Sequence, residues 1–186
     1  MSNKEIKITG THNRRSVRLC NDEKYVVKER KFYSDISGSF SQCDIKKRMP
    51  ILYLKMENIS NFSLDYLEGK ILEEIKIKQS SYTIQDLKKN ILIRENREKN
   101  QAITSEQIVE KLLISLYKCY YCKREVQILY ENTREPKQWT LERINNNEGH
   151  TYDNCVIACL ECNLKRRNMN IEKFEFTKNL KIIKKE

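Results

Sequence analysis

Two pairs of closely spaced cysteines constrain this chain more than any other feature of its sequence. Cys119 and Cys122 form one Cys-x2-Cys pair, and Cys159 and Cys162 form a second, with residues 123–158 between them. Each spacing lets one tight turn direct two thiolates at the same ion, so two pairs complete a tetrahedral shell. Four thiolates leave no position open for water, which is typical of structural zinc sites. The alternative is four buried cysteines that come together by chance.

The other cysteines are less regularly placed. Cys155 lies on a predicted strand, and we expect it to be a small buried residue rather than a fifth ligand. Cys20 and Cys43, together with His12, are candidates for a second, degenerate metal site in the N-terminal region, although their spacing is irregular.

The composition limits the class of protein. With 186 residues of which 39% are hydrophobic, the chain can bury only a modest core, so metal binding would add needed stability. No stretch approaches eighteen apolar residues, and the first residues lack the apolar segment of a secretory signal. We therefore expect an intracellular protein that is neither secreted nor in a membrane. A reducing compartment favours metal ligands over disulfides.

The charge favours an acidic partner. The formal net charge is +10 and the pI is about 9.2, which is typical of proteins that bind nucleic acid. The positive charge is concentrated in the first fifty residues and after residue 150. The alternative is a bias toward Lys, Asn and Ile codons that has nothing to do with binding.

Helical periodicity is clearest in the middle of the chain. Residues 64–78 place apolar side chains at helical spacing, and a second helix is predicted over 83–100 with Thr83 as a possible N-cap. A third helix begins at Thr104 or Ser105, and its apolar stripe of Ile108, Leu112 and Leu116 leads into Cys119. The sequence thus predicts that a helix delivers the first cysteine pair.

Short strands are predicted around the cysteines. The segments "ILYL" (51–54), "VQILYE" (126–131), "WTLERI" (139–144) and "CVIAC" (155–159) have the composition of strands, and "NNNEGHTYDN" (145–154) is typical of a loop. A helix is predicted to begin in "ECNLKRRNMN" (161–170).

The unit from residue 119 to 168 resembles the HNH endonuclease family, also called His-Me finger nucleases. The resemblance lies in the order of its parts: a cysteine pair, a strand ending in Glu142-Arg143, a loop, Asn154 before a second strand, and a cysteine pair followed by Asn163. The segment "LERINNNEGHTYDNCVIACLECNLKRRN" is similar to the branch with Asp-Arg and Cys-Asn motifs that is common in large DNA viruses and phages.

The resemblance implies a fold and a division of the chain. The fold class is α+β, with a helical N-terminal region followed by a zinc-braced, treble-clef-like ββα domain. The expected divisions are residues 1–102 of unknown role, mixed in strand and helix and basic at the start, a nuclease domain over 103–170, and a basic tail over 171–186. A viral protein of this kind would act in the cytoplasm or nucleus of its host cell.

The resemblance also implies a catalytic centre. Glu142 and Asn163 match the positions that bind one divalent cation, Mg²⁺ or Mn²⁺, and Asn154 matches the Asn that fixes the loop and orients the catalytic side chain. Oxygen ligands suit Mg²⁺ and thiolates suit Zn²⁺, so the two ions would be sorted by ligand type. The substrate would be DNA, with RNA as a further possibility.

One position departs from the family pattern. Arg143 stands where most members have the His that acts as general base, and a guanidinium cannot accept a proton at neutral pH, although it can hold a phosphate. His150 is the only histidine in residues 119–168, and we predict that it activates water. The alternative is a loop histidine bonded to a backbone carbonyl.

The remaining candidates also have structural alternatives. Glu142 could be a solvated acid paired with Arg143 or Lys137, and Asn163 could be the N-cap of the last helix. The basic side chains after it are expected to contact phosphate or to form a solvated face: Lys165, Arg166 and Arg167. The aromatic side chains nearby could stack on bases or pack around the metal site: Tyr120, Tyr121 and Trp139.

Three functions follow from these observations. The first is a metal-dependent endonuclease that hydrolyses phosphodiester bonds in DNA. The second is a catalytically inactive, zinc-finger-like module that binds DNA or RNA, because Arg143 replaces the usual base. The third is a structural interaction protein whose charge reflects codon bias alone. The oligomeric state and the target site are not predicted.

Overall fold

A computed structural model describes residues 40–57, 63–88 and 102–179. Within these ranges the chain is a mixed α+β fold, as predicted, with five helices and a sheet of two strands. In chain order the elements are α1 (Gln42–Glu57), α2 (Tyr66–Lys88), α3 (Ser105–Ile114), β1 (Trp139–Arg143), β2 (Cys155–Cys159), α4 (Leu160–Arg166) and α5 (Ile171–Asn179). None of the helices in these ranges has the length and hydrophobicity needed to cross a bilayer.

Helix α1 contains the segment "ILYL", so the prediction of a strand there is wrong. The helix buries Ile45, Met49, Leu52 and Met56, which recur at helical spacing on one face. Pro50 lies inside the helix and has no N–H to donate to the carbonyl four residues earlier. That carbonyl, of Lys46, instead accepts a hydrogen bond of 3.3 Å from the hydroxyl of Tyr117.

Helix α2 is one continuous helix where two were predicted. It begins with a reciprocal pair of bonds in which Glu68 N donates to Asp65 Oδ1 at 2.8 Å and Asp65 N donates to Glu68 Oε2 at 2.9 Å. Thr83 is inside the helix and donates to the Gln79 carbonyl rather than serving as an N-cap. The rest of the predicted second helix, residues 89–100, lies outside the described residues.

Helix α3 begins where the sequence predicts. Thr104 is its N-cap, and a capping box joins Thr104 and Gln107 through bonds of 3.0 and 3.3 Å. Ile108 and Leu112 are buried as expected, but Leu116 is 67% exposed and does not extend the stripe. The helix ends before it, and positive φ angles at Leu116 and Tyr117 turn the chain toward the first cysteine pair.

The predicted strands at residues 139–144 and 155–159 form the antiparallel sheet. In its register Trp139 lies opposite Cys159 and Arg143 lies opposite Cys155. The segment 126–131 is not a strand of this sheet and makes only an isolated bridge, between Gln127 and Gln138. Its apolar side chains are nevertheless buried, and Val126, Ile128 and Leu129 belong to the hydrophobic core.

The C-terminal segment is more ordered than the predicted tail. Residues 171–179 form helix α5, and Phe174 packs edge-on against the ring of Tyr121 with ring centroids 4.9 Å apart. Residues 180–186 lie outside the described residues.

Helices α1, α2 and α3 share one hydrophobic core with the sheet, so contacts cross the predicted boundary at residue 102. Helix α2 adds polar contacts from one face, which we call the polar stripe: Glu74, Lys78, Tyr82 and Asp86. Their partners are, in the same order, the Tyr130 hydroxyl, the Trp139 carbonyl, the Leu141 N–H and His150. Because the four residues recur every fourth position, they lie along one side of the helix.

Candidate metal centre and its surroundings

The four cysteines of the two pairs come together in the folded chain. Cys119 and Cys122 lie in the turn after α3, Cys159 ends β2, and Cys162 is in the first turn of α4. All four sulfur atoms lie within 4.8 Å of one another, and the Cys122 and Cys159 sulfurs are 3.8 Å apart. We call this group the four-cysteine cluster.

The geometry of the four-cysteine cluster fits a metal ion such as zinc. A tetrahedral zinc with Zn–S bonds of about 2.3 Å places its sulfurs about 3.8 Å apart. The Cys122–Cys159 separation has that value, and since the other separations are at most 4.8 Å, small rotations of the side chains would place all four sulfurs around one ion. Three of the four residues are buried and Cys122 is half-buried, which suits a closed site.

The turn that carries the first pair is held by backbone hydrogen bonds. Cys119 N donates to the Arg124 carbonyl at 2.8 Å, and Lys123 N donates to the Cys119 carbonyl at 2.9 Å. Lys123 has a φ of 57°, so a non-glycine residue occupies a left-handed conformation there. Tyr120 N donates to the Ile157 carbonyl and thereby fixes the turn to β2. The sulfurs are thus positioned by backbone contacts as well as by any ion.

The hydrogen bonds around the sulfurs favour a thiolate at Cys119, whereas the bond to Cys119 raises the pKa of Cys159 and burial raises that of Cys162. A hydrogen bond from the Cys159 thiol lowers the pKa of Cys119, with backbone N–H groups adding to the effect and burial opposing it. Lys178 of α5 donates to the sulfur of Cys162. The thiolate is the form that binds metal, so these contacts favour metal binding.

Cys155 is separate from the four-cysteine cluster, as the sequence predicted. It is 1% exposed, and burial raises the pKa of its thiol to about 12. Cys43 is exposed on α1. The hypothesis of a second site with Cys20 and His12 stays a prediction, since both residues lie outside the described residues.

Glu142 and Asn163 lie together beside the four-cysteine cluster. Glu142 is near the end of β1, and Asn163 follows Cys162 in α4; the Asn163 side chain is close enough to Glu142 to lower the pKa of its carboxyl. The Asn163 amide also lies 3.4 Å from the Thr140 hydroxyl. Burial raises the pKa of Glu142, and Arg166 opposes that rise. Asn163 is not an N-cap, because Cys159 occupies that position of α4.

Arg166 is inside the domain and not on the basic surface that the sequence predicted. Its side chain is 0% exposed; Nη1 pairs with Glu142 Oε1 and also donates to the Arg143 carbonyl, and Nη2 donates to the Ile144 carbonyl at 2.9 Å. Arg166 lies in the interior because Glu142 is buried, and a buried carboxylate requires a paired cation. Arg166 therefore neutralises Glu142 instead of contacting phosphate.

Arg143 and His150 both lie beside the same carboxylate, that of Asp86, which the sequence analysis did not identify as a candidate. Asp86, on α2, accepts from His150 and lies 3.9 Å from the Arg143 guanidinium, which also donates to the Glu148 carbonyl. The imidazole of His150 is therefore hydrogen bonded to a carboxylate. The sequence signal for Asp86 was its four-residue spacing from Tyr82, Lys78 and Glu74. That spacing places the four residues on one face only if α2 is a single continuous helix.

Asn154 closes the loop between the strands. Its Oδ1 accepts from Asn145 N at 2.8 Å, and its Nδ2 donates to the carbonyls of Asn145 and Gly149 at 3.0 and 2.9 Å. These are loop-fixing contacts of the kind that the resemblance implies. An effect of Asn154 on catalysis stays a prediction.

A groove runs along the exposed side of α4. It consists of two adjoining depressions of about 810 and 660 Å³, which share Arg134, Leu164 and Arg167, and the smaller one reaches Asn163. Lys165 is exposed at its rim and pairs with Glu161 at 2.7 Å. Arg134, in the loop before β1, is a basic residue that the sequence analysis missed because it lies before the segment 141–168 on which the resemblance rests.

The aromatic residues near the four-cysteine cluster divide between the two expected roles. Trp139 is 0% exposed and Tyr121 packs on α5, so both are packing residues. Tyr120 is 37% exposed and lines a separate depression with Lys118 and Lys123.

Comparison with known proteins gives a limited result. No protein-family model and no solved structure match the chain. A segment of 70 residues, 38% of the chain, is 41% identical to the uncharacterized protein R423 of Acanthamoeba polyphaga mimivirus. The match covers 11% of that relative. This similarity supports the predicted viral origin and assigns no activity.

Proposed function

We propose that the chain is a metal-dependent endonuclease of the HNH type that hydrolyses phosphodiester bonds in DNA. The observation that carries this proposal is the position of Asn163 at β1: its amide donates to the Thr140 hydroxyl at 3.4 Å, two residues before Glu142 on the same strand, and Asn163 directly follows Cys162 of the four-cysteine cluster. The resemblance assigns Glu142 and Asn163 to one catalytic centre, and they are distant in sequence. The order of β1, β2 and α4 also matches the ββα arrangement that the resemblance implies.

Zinc in the four-cysteine cluster would have a structural role. It would join the turn after α3 to the junction of β2 and α4, and Asn163 is the residue after one of its ligands. Four thiolates leave no position open for a water ligand, so this ion would not take part in hydrolysis. Its contribution would be to hold Asn163 against the end of β1.

A second, hard cation would be bound by the oxygen atoms of Glu142 and Asn163. Carboxylate and amide oxygens are the ligands that Mg²⁺ and Mn²⁺ prefer, so the donor set fits. When bound, such an ion stabilises the negative charge that develops on the departing oxygen of the phosphodiester. Arg166 competes for the same carboxylate, so Glu142 must share its two oxygens between the cation and the guanidinium.

The proton acceptor in this proposal is His150. A guanidinium does not accept a proton at neutral pH, and that of Arg143 lies beside Asp86, so Arg143 cannot take this role. An imidazole accepts a proton near neutral pH, and His150 lies in the loop that follows β1.

DNA would lie along the groove beside α4. Arg134, Lys165 and Arg167 supply exposed positive charge there, and Asn163 connects the groove to the catalytic centre. Each neutralised phosphate releases counterions, so binding should weaken steeply with salt.

The test is cleavage of supercoiled plasmid by zinc-loaded protein with Mg²⁺, with Mn²⁺ and with chelator. Glu142→Gln and Asn163→Ala should each abolish nicking, while Glu172→Gln, which removes an exposed carboxylate of α5, should not change it. Nicking that persists in Glu142→Gln and Asn163→Ala would refute the assigned centre.

The second candidate is a module that binds DNA or RNA without hydrolysis. The observation that favours it is the buried pair of Arg166 with Glu142, together with an arginine at the usual position of the base. It predicts salt-sensitive binding of plasmid or RNA with no nicking in any metal. Absence of both binding and nicking would leave the third possibility, an interaction protein.

A further inference from the structure

Helix α2 holds His150 through Asp86. The backbone N of His150 donates to Asp86 Oδ2 at 2.6 Å, and both carboxylate oxygens of Asp86 lie 2.9 Å from His150 Nδ1. The side chains of His150 and Asp86 are 8% and 1% exposed. One carboxylate therefore fixes both the backbone and the ring of this histidine.

The surroundings of the pair restrict it further. The ring of Tyr82 packs against the imidazole with centroids 4.6 Å apart, and the Tyr82 hydroxyl is itself fixed by the Leu141 N–H. Arg143 lies 3.9 Å from Asp86 on the side of β1. The buried carboxylate thus has a cation on one side and the N–H groups of His150 on the other, which offsets the cost of its burial.

We propose that Asp86 is a positioning residue that fixes the tautomer and orientation of His150 for hydrolysis; the inference rests on the proposed endonuclease function. Because Asp86 accepts from Nδ1–H, the lone pair of the imidazole is on Nε2. A water proton passes to Nε2, the water oxygen bonds to phosphorus, and the P–O3′ bond breaks. Its electron pair stays on O3′, which takes a proton from solvent, and Asp86 stabilises the imidazolium.

A purely structural contact between α2 and the loop is the competing explanation. Both explanations expect Asp86→Ala to damage the fold, so that variant does not separate them. Asp86→Asn keeps the size of the side chain and an oxygen for the His150 backbone N–H. Its amide N–H would face Nδ1 as a donor, which forces the proton of the neutral imidazole onto Nε2.

The experiment compares full-length Asp86→Asn with the wild type in single-turnover nicking of supercoiled plasmid with Mg²⁺ or Mn²⁺. We expect a rate lower by roughly 10²–10⁴-fold, with zinc content, Tm and plasmid binding at wild-type values. Asp153→Asn is the matched control, since it removes an exposed carboxylate of the same region and should nick normally.

Nitrogen-15 NMR of histidine-labelled protein gives a readout that does not depend on nicking. The chain has two histidines, so a His150→Gln variant identifies the signals of His150. We expect the Nδ1–H tautomer in the wild type and the Nε2–H tautomer in Asp86→Asn. The wild-type spectrum alone tests the tautomer should the variant fold poorly.

The outcomes separate this inference from the proposed function. Wild-type nicking with an equal rate in folded Asp86→Asn, or an Nε2–H tautomer in the wild type, would overturn the role of Asp86 and leave the endonuclease standing. A wild type that nicks with neither metal would overturn both. Slow nicking together with tautomer inversion supports the proposal.

Discussion

Arg166 and Glu142 form an ion pair in the interior of the domain, with side chains 0% and 6% exposed. The guanidinium also donates to two backbone carbonyls at the end of β1. This one side chain therefore joins α4 to β1 at the point where the candidate catalytic centre lies.

Replacement of Arg166 should be costly for stability. We expect Arg166→Met to lower the free energy of unfolding by about 3–5 kcal/mol, because it leaves the Glu142 carboxylate buried without its cation. The double variant Arg166→Met with Glu142→Gln should recover part of that loss. Urea denaturation at constant zinc measures the difference. Arg167→Met is the control, since that side chain is exposed; a double variant no more stable than Arg166→Met would argue against the ion pair as the cause.

Metal content should depend on the four-cysteine cluster. We expect one zinc per chain by elemental analysis, a clear loss in Cys162→Ser, and a lower Tm after chelation, because the bound ion stabilises only the folded state. Cys155→Ala should retain the zinc. Full occupancy in Cys162→Ser would place the metal elsewhere, and a second equivalent would point to the N-terminal cysteines.

Gly69 should be replaceable with a gain in stability. A Cβ at this position of α2 would meet no atom of the described residues within 4 Å. Gly69→Ala should therefore raise the free energy of unfolding by about 0.5–1 kcal/mol, because alanine loses less backbone entropy in a helix. Thermal or urea denaturation measures it, with Leu87→Ala, an exposed helical site, as the neutral reference. A loss of stability would indicate a contact from outside the described ranges.

Alkylation should distinguish the cysteines that do not belong to the four-cysteine cluster. At pH 8 a thiol with a pKa of about 12 is ionised in about one molecule in 10⁴, so Cys155 should resist iodoacetamide while exposed Cys43 reacts. Raising the pH should increase the reactivity of Cys155, because its thiolate fraction rises. Peptide mass spectrometry measures both sites, and the denatured protein is the control. Equal labelling in the folded state would contradict the burial of Cys155.

Local patterns predicted the elements around the cysteines well. The composition of residues 139–144 and 155–159 indicated the two strands, and Thr104 with Gln107 carried a capping signal that the fold uses. The prediction of a strand at residues 51–54 was wrong because four apolar residues do not distinguish a strand from a helix. The residue that satisfies the Lys46 carbonyl despite Pro50 is Tyr117, which is far along the chain. The location of Arg166 could not be predicted, because a basic run does not show which of its members faces the interior.

Prediction of the candidate site from the sequence was also limited by contacts between distant segments. The resemblance assigned Glu142, Asn163 and Asn154 to one catalytic centre, and that assignment stays a prediction. It gave no information on Asp86, which reaches His150 only because α2 continues past the point where the sequence suggested a new helix. A single sequence records apolar periodicity more clearly than polar contacts between distant segments.

The contacts of the polar stripe fix the number of residues in α2 between Glu74 and Asp86. Each residue advances an α-helix by 1.5 Å and turns it by about 100°. One inserted or deleted residue between Glu74 and Asp86 would thus rotate Asp86 away from His150 while Glu74 stayed beside Tyr130. Related chains that keep this arrangement should vary in length elsewhere and show no insertion or deletion across residues 74–86.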